Sequence, residues 1–196
     1  MIPYKEYSYL YPPRPEKAFS PENLGFYENL GWLAQIKRNG DCTMLFARKG
    51  ELRVMNRHGE VPTRWAPSPE QIEFFARGDE WFVYAAERVG VSLYIFDLVV
   101  CGGTQLVGTN FNDRQDILYN LFPIYKETED ELHLLNTITI AKCHTSGFSD
   151  IFSRLGPRDE GLVIKDPNGR LSPCFRDKQN GGWQVKARIP TKNYSF

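Results

Sequence analysis

No charge of one sign predominates in this 196-residue chain: 24 Lys and Arg stand against 24 Asp and Glu, for a formal net charge of zero. That balance excludes a uniformly basic nucleic-acid binder, although not one with a local basic groove. Cysteine is sparse. Cys42, Cys101, Cys143 and Cys174 are widely scattered, with no C-x-x-C pair and no histidine spaced as a zinc partner. Reduced thiols in a cytosolic protein are therefore expected. Long apolar runs are missing too: no stretch approaches the roughly 20 residues of a membrane span, and the opening MIPYKEYSYLYPPRPEK has no signal core. The expected compartment is the cytoplasm, or a host's cytoplasm for a viral protein, with no membrane partner. Internal repeats and low-complexity segments are also absent.

What is present is a globular composition, 41% hydrophobic and 24% charged, in a length that suits one domain with a real core. Aromatic residues reach 14%, so much of any core or binding surface is aromatic. Residues 1–19 are expected to form an extended arm, because Pro12, Pro13 and Pro15 restrict the backbone. Its Tyr4, Tyr7, Tyr9 and Tyr11 either stack on bases or pack the arm onto the domain surface. Residues 20–196 form the domain itself. Ser20-Pro21 opens a helix toward Leu30. Leu33–Lys37, Cys42–Ala47 and Leu52–Asn56 are strands, with hairpin turns expected at Asn39-Gly40 and Lys49-Gly50. Ser68-Pro69-Glu70-Gln71 is a capping box whose helix ends at Gly78. Trp81–Arg88 and Ser92–Val100 are strands joined at Gly90, and Asn112 caps a helix through Phe122. Leu134–Ala141 is one further strand and Ser149–Leu155 a short helix. Gly161–Lys165 and Trp183–Arg188 are strands separated by a polar loop. The pattern predicts an α+β fold with mostly antiparallel pairing.

Chemistry concentrates in five segments. Lys37 ends the apolar strand Leu33-Ala34-Gln35-Ile36-Lys37 just before Arg38-Asn39-Gly40, which sets it at the mouth of a groove. A lysine there becomes a nucleophile if desolvation or neighbouring cations remove its proton. By itself the segment is equally an ordinary strand end beside an Asn-Gly turn. Arg57 then closes the second strand after Lys37. Glu87 lies in a strand, and Tyr94-Ile95-Phe96-Asp97 follows shortly after it. Glu160 opens the apolar strand Gly161-Leu162-Val163-Ile164-Lys165. In Gly182-Trp183-Gln184-Val185-Lys186-Ala187-Arg188, alternation puts Lys186 and Arg188 on one face.

In this order and spacing the segments resemble the covalent nucleotidyltransferase superfamily of ATP-dependent DNA ligases, RNA ligases and mRNA capping enzymes, over roughly residues 30–190. Lys37-Arg38-Asn39-Gly40 is similar to the first motif, Lys-x-(Asp/Asn)-Gly. Arg57, Glu87 and Phe96-Asp97 look like the elements that follow it. Glu160 to Lys165 resembles the fourth motif, and Lys186-x-Arg188 the fifth. Tyr94 to Val99, Leu106-Val107-Gly108, Arg114 with Leu118, and Trp183 lean toward small phage-type ATP-dependent DNA ligases. The resemblance implies an ATP-grasp-like adenylation domain in which mostly antiparallel sheets flank a nucleotide groove. It also implies ATP and Mg2+ as cofactors, and nicked DNA as substrate, with RNA as the alternative.

Each residue then has an expected role. Lys37 carries AMP; Lys186 and Arg188 offset triphosphate charge and depress the lysine's pKa. Glu160 holds the metal. Glu87 accepts from ribose hydroxyls, Phe96 stacks on the purine, and Arg57 grips a ribose or a phosphate. The backbone around Gln35 and Ile36 reads the adenine edge. The plainer alternatives are Phe96 as core, Arg57 and Glu87 as a mutual pair, and Lys165 as a solvated strand end.

Three departures stand out. Cys42 occupies a place where the first motif often has arginine, leaving Arg38 or Arg57 to compensate. Glu87 follows Ala85-Ala86 in place of Asp-Gly. The sequence ends at Thr191-Lys192-Asn193-Tyr194-Ser195-Phe196 with no room for a C-terminal OB-fold domain. The expectation is thus a minimal catalytic core, or one served by an OB-fold-supplying partner; a nucleotide- or nucleic-acid-binding subunit without turnover is the rival. Charge is also uneven: residues 142–196 hold ten Lys and Arg against five Asp and Glu, so the basic excess coincides with the fourth and fifth motifs.

Overall fold

The computed structural model describes residues 2–6, 8–15, 17–176 and 181–190. Strands β1 (Ile2–Pro3) and β2 (Lys17–Phe19) precede helix α1 (Leu24–Asn29). Then come β3 (Leu33–Arg38), β4 (Asp41–Arg48), β5 (Glu51–Asn56), α2 (Pro69–Phe75), β6 (Phe82–Val89) and β7 (Ser92–Cys101). They are followed by β8 (Thr104–Gln105), α3 (Phe111–Asn120), β9 (Lys126–Glu127), β10 (Glu131–Leu135) and β11 (Ile138–Ala141). The last elements are α4 (Phe148–Ser153), β12 (Asp159–Lys165) and β13 (Gln184–Arg188).

The strands sort into two sheets. The larger runs β5-β4-β6-β7-β11-β10-β9, with β8 on β7 and β1 on β8; the smaller runs β2-β13-β12-β3. Pairing is antiparallel except for β7 with β11 and β2 with β13. This is the expected α+β class with mostly antiparallel sheets.

Period-two alternation decides which face each strand buries. Leu45, Tyr84, Ile95 and Leu98 of the large sheet pack against Phe74 and Phe75 of α2 and Leu118 of α3. The opposite face, with Met44, Phe46, Val83 and Ala85, is covered at one end by Leu10, Tyr4 and Tyr9. The aromatic segment therefore packs on the domain, with Tyr4 edge-on to Trp81 at 5.7 Å. Tyr7 of that segment lies outside the described residues. In the small sheet Ala34, Leu162, Ile164, Val185 and Ala187 pack on Leu24 of α1 and on Phe148 and Ile151 of α4.

Several local expectations are corrected. Asn39-Gly40 makes no hairpin: β3 pairs with β12 while β4 pairs with β5 and β6, so this turn carries the chain from one sheet to the other. Gly40 is needed there because a Cβ would strike the Arg88 carbonyl. Ser20 makes no side-chain cap, and a 3-10 turn leads into the shorter α1. The Ser68 capping box forms as read, but α2 stops at Phe75. Asn110, not Asn112, caps α3 by accepting from the Asp113 N–H. The stretch read as one strand is the hairpin β10–β11, turning at Asn136-Thr137. Trp183 stands in a 3-10 turn before β13. The polar loop ahead of it falls partly outside the described residues, as do residues 191–196.

Candidate active site

Register across the small sheet puts Lys37, Gly161 and Arg188 in one row, Gln35, Val163 and Lys186 in the next, and Leu33, Lys165 and Gln184 in a third. Alternation turns these side chains away from the α1–α4 core and toward the other sheet. Glu160, by the same count, would face the core. A bulge between Asp159 and Gly161 breaks the alternation and brings Glu160 around. Its Oε2 accepts from Lys37 Nζ at 2.5 Å and lies 3.2 Å from Arg188 Nη2. Gly161 permits this, because its φ of 144° suits glycine and a Cβ would run into the Ala187 carbonyl.

The large sheet supplies the facing wall. Cys42, Glu87 and Tyr94 are neighbours in one row across β4, β6 and β7, and Phe96 lies one pleat further along β7. Burial, chiefly, pushes the Glu87 carboxyl up to about 7; the Glu160 charge adds to this while Lys37 and a bond from the Gly40 N–H oppose it. Burial likewise raises the Cys42 thiol to about 12, with Glu87 adding to the effect, so it is no nucleophile at neutral pH. Across the groove, burial and then the neighbouring Arg188, Lys37 and Arg14 charges push Lys186 down.

Between the walls lies a groove of about 1240 Å³. Gln35, Ile36, Lys37, Arg57, Glu87, Phe96, Glu160, Lys186 and Arg188, the residues singled out in the sequence, all line it. Arg57 stands on its rim, donating from Nε to His58 Nε2 at 3.1 Å. Arg38 also reaches this space, where its guanidinium is held by Asp159 and Glu131 and lies 5.2 Å from the Tyr94 ring. Ala34 exchanges both backbone bonds with His144 on the outer edge of β3. Strand alternation puts the N–H and C=O of Ile36 on that same edge.

Lys165 is the clearest correction. It is no solvated strand end: 1% of it is exposed, its Nζ donates to Gln35 Oε1 at 2.6 Å and to the Phe96 carbonyl at 3.2 Å, and it sits 4.3 Å from the Phe111 ring centroid. It thereby ties β12 of the small sheet to β7 of the large one under the groove. Burial pushes its pKa down to about 8. Gln35 Nε2 in turn donates to Gln115 Oε1 at 3.3 Å and to the Ala141 carbonyl at 3.0 Å. Deeper still, the fully buried Arg114 and Asp97 pair through two bonds of 2.9 Å. Sequence reasoning missed this floor as a unit. Its signal was Asp97 within the apolar run Leu93–Cys101, since a buried carboxylate requires a partner.

Among the described residues, no helix is long and apolar enough to cross a membrane. The family described as ATP dependent DNA ligase domain matches residues 76–184. The fold is similar to the ligase domain of LigD from M. tuberculosis, with a TM-score of 0.67 at 19% identity, covering 94% of this chain and 61% of that one. It is equally similar to mycobacterial DNA ligase D complexed with ATP and MES, with a TM-score of 0.67 at 20% identity, covering 94% and 62%. A third similar structure, Pmar-Lig_Pre, has a TM-score of 0.61 at 15% identity, covering 89% of this chain and 46% of that one. The chain thus spans about three fifths of the LigD ligase-domain structures and under half of Pmar-Lig_Pre. No curated protein matches.

Proposed function

The chain belongs to the ATP-dependent DNA ligase domain family, and from that membership we propose that it performs covalent nucleotidyl transfer on Lys37 and seals nicks between a 5′-phosphate and a 3′-hydroxyl. The observation that carries this reading is the convergence of Lys37, Glu160, Lys186 and Arg188 on one groove. Nζ of Lys37 attacks the α-phosphorus of ATP, a P–N bond forms as the amine gives up its proton, and pyrophosphate leaves. AMP passes to the 5′-phosphate of the nick as the P–N bond breaks. The 3′-hydroxyl then attacks that 5′-phosphorus, AMP departs and the strand is joined. Lys186 and Arg188 offset the negative charge that builds on the phosphoryl oxygens. The Glu160 contact keeps Nζ aimed into the groove.

Recognition falls to the facing wall and to β3. Glu87 accepts from ribose hydroxyls, Phe96 offers a ring face to the purine, Arg57 grips a ribose or a phosphate from the rim, and the outward backbone of Ile36, beside Gln35, reads the adenine edge. Glu160 is the carboxylate that would hold Mg2+. Among the described residues no group of three His, Cys, Asp or Glu converges, so the remaining ligands would be phosphates and water. When bound, Mg2+ neutralises charge on the transferring phosphoryl group.

Incubation with Mg2+ and ATP labelled at the α-phosphate, followed by denaturing electrophoresis, is expected to give a labelled protein band that Lys37→Ala abolishes. No adduct on the wild type, or its survival in Lys37→Ala, overturns the reading. Pre-adenylylated nicked DNA, RNA and hybrid duplexes, each with this chain alone, then separate a DNA ligase from an RNA ligase. They also separate both from a binding subunit that needs an OB-fold partner.

A further inference from the structure

We infer that Arg14 is a phosphate-binding residue of the groove, carried into it by a proline strap that links the two sheets; the inference rests on reading the groove as a nucleotidyl-transfer site. Leu10 is buried in the core of the large sheet, and the Tyr11 N–H donates to the Cys174 carbonyl at 2.7 Å. Further along, Lys17–Phe19 pairs in parallel with β13, placing Ala18 beside Lys186. Residues 12–15 therefore cross from one sheet to the other at the groove, and Pro12, Pro13, Arg14 and Pro15 all line it. Pro12 and Pro13 are buried, while Arg14 is half-buried. Prolines on both sides of Arg14 restrict the backbone that carries its guanidinium.

Arg38 is held by Asp159 and Glu131, Arg88 by Asp41 and the Gly90 carbonyl, and Arg57 bonds to His58 at the rim. Arg14 acts on both walls. Its charge joins those of Arg188 and Lys37 in pushing Lys186 down, secondary to burial, and it works against the rise of the Cys42 thiol. It thus brings positive charge into the groove that Cys42 and Lys186 also line. A planar guanidinium there suits a phosphate oxygen pair. That phosphate belongs either to the triphosphate of ATP or to the 5′ end of a nick.

The test compares binding of two ligand pairs to the intact wild-type chain, Arg14→Ala and Arg14→Lys: ATP against adenosine, and a nicked duplex with a 5′-phosphate against the same duplex with a 5′-hydroxyl. Arg14→Ala is expected to weaken the phosphate-bearing member of one pair about tenfold and to leave its partner unchanged, with Arg14→Lys intermediate. The pair that responds identifies the source of the phosphate. Equal weakening of both members, as a merely structural strap would give, overturns the inference. So does a wild type with no preference for phosphate, or an Arg14→Ala variant that binds like wild type. Lys37 adduct formation in the same preparations tests the catalytic reading separately. Its absence alongside an Arg14-dependent phosphate preference removes that reading and leaves Arg14 as an anion site.

Discussion

The small sheet brings Lys37, Glu160, Lys186 and Arg188 to the groove from three adjacent strands, whereas the large sheet brings Cys42, Glu87, Tyr94 and Phe96 from a surface whose deeper positions are fully buried. On the first wall, Lys37 and Arg188 both approach the Glu160 carboxylate, at 2.5 and 3.2 Å, and Lys186 is pushed down by burial and then by the neighbouring cations. On the second, burial dominates the Glu87 carboxyl and the Cys42 thiol. In the proposed reading, the reacting groups stand on the small-sheet wall and the recognition groups on the large-sheet wall.

Three substitutions test that division. Arg114→Met removes the guanidinium that pairs with the Asp97 carboxylate at 0% exposure. It is expected to cost about 3–5 kcal/mol of stability in urea denaturation; a loss below 1 kcal/mol would mean the large sheet does not depend on its buried pair. Lys186→Ala should do the reverse, slowing Lys37 adenylylation by about 10²–10³ while leaving the urea midpoint in place. A shift of that midpoint comparable to the rate effect would blur the distinction between the walls.

Lys165→Met addresses the tie between them. The folded-state pKa of Lys165 is depressed to about 8 from the ordinary 10.5, so the unfolded chain holds the proton over that window after the folded chain has released it. Wild type should therefore gain stability relative to Lys165→Met, on the order of 2 kcal/mol, as pH rises from 8 to 10.5. A flat difference would show that the amine is not desolvated as its burial indicates.

Much of this was legible in the sequence because it depends on short-range periodicity. Alternation along Gln184–Arg188 placed Lys186 and Arg188 on one face, and an apolar strand ending in Lys37 pointed to a groove mouth. Long-range pairing was not legible. Asn39-Gly40 has the chemistry of a hairpin turn, but the steric demand it meets comes from Arg88, far away in the chain. Lys165 looked solvated because its partners, Gln35 and the Phe96 carbonyl, lie 130 and 69 residues distant. Asp97 and Arg114 stood in separate elements, and only the packing of α3 on β7 joins them.

The bulge at Asp159–Gly161 has one more consequence. A strand is a two-state counter, odd positions to one side and even to the other, and the bulge advances that count by one. Residues on either side of it are in opposite phase, so a carboxylate adjacent in sequence to an obligatory glycine ends up on the same side as Lys37, on the face opposite to the one simple counting would give it. The Glu160-Gly161 dipeptide therefore behaves as a single indivisible sign change. Inserting or deleting one residue in β12 after it would exchange the groove-facing and core-facing sides of the residues beyond the change.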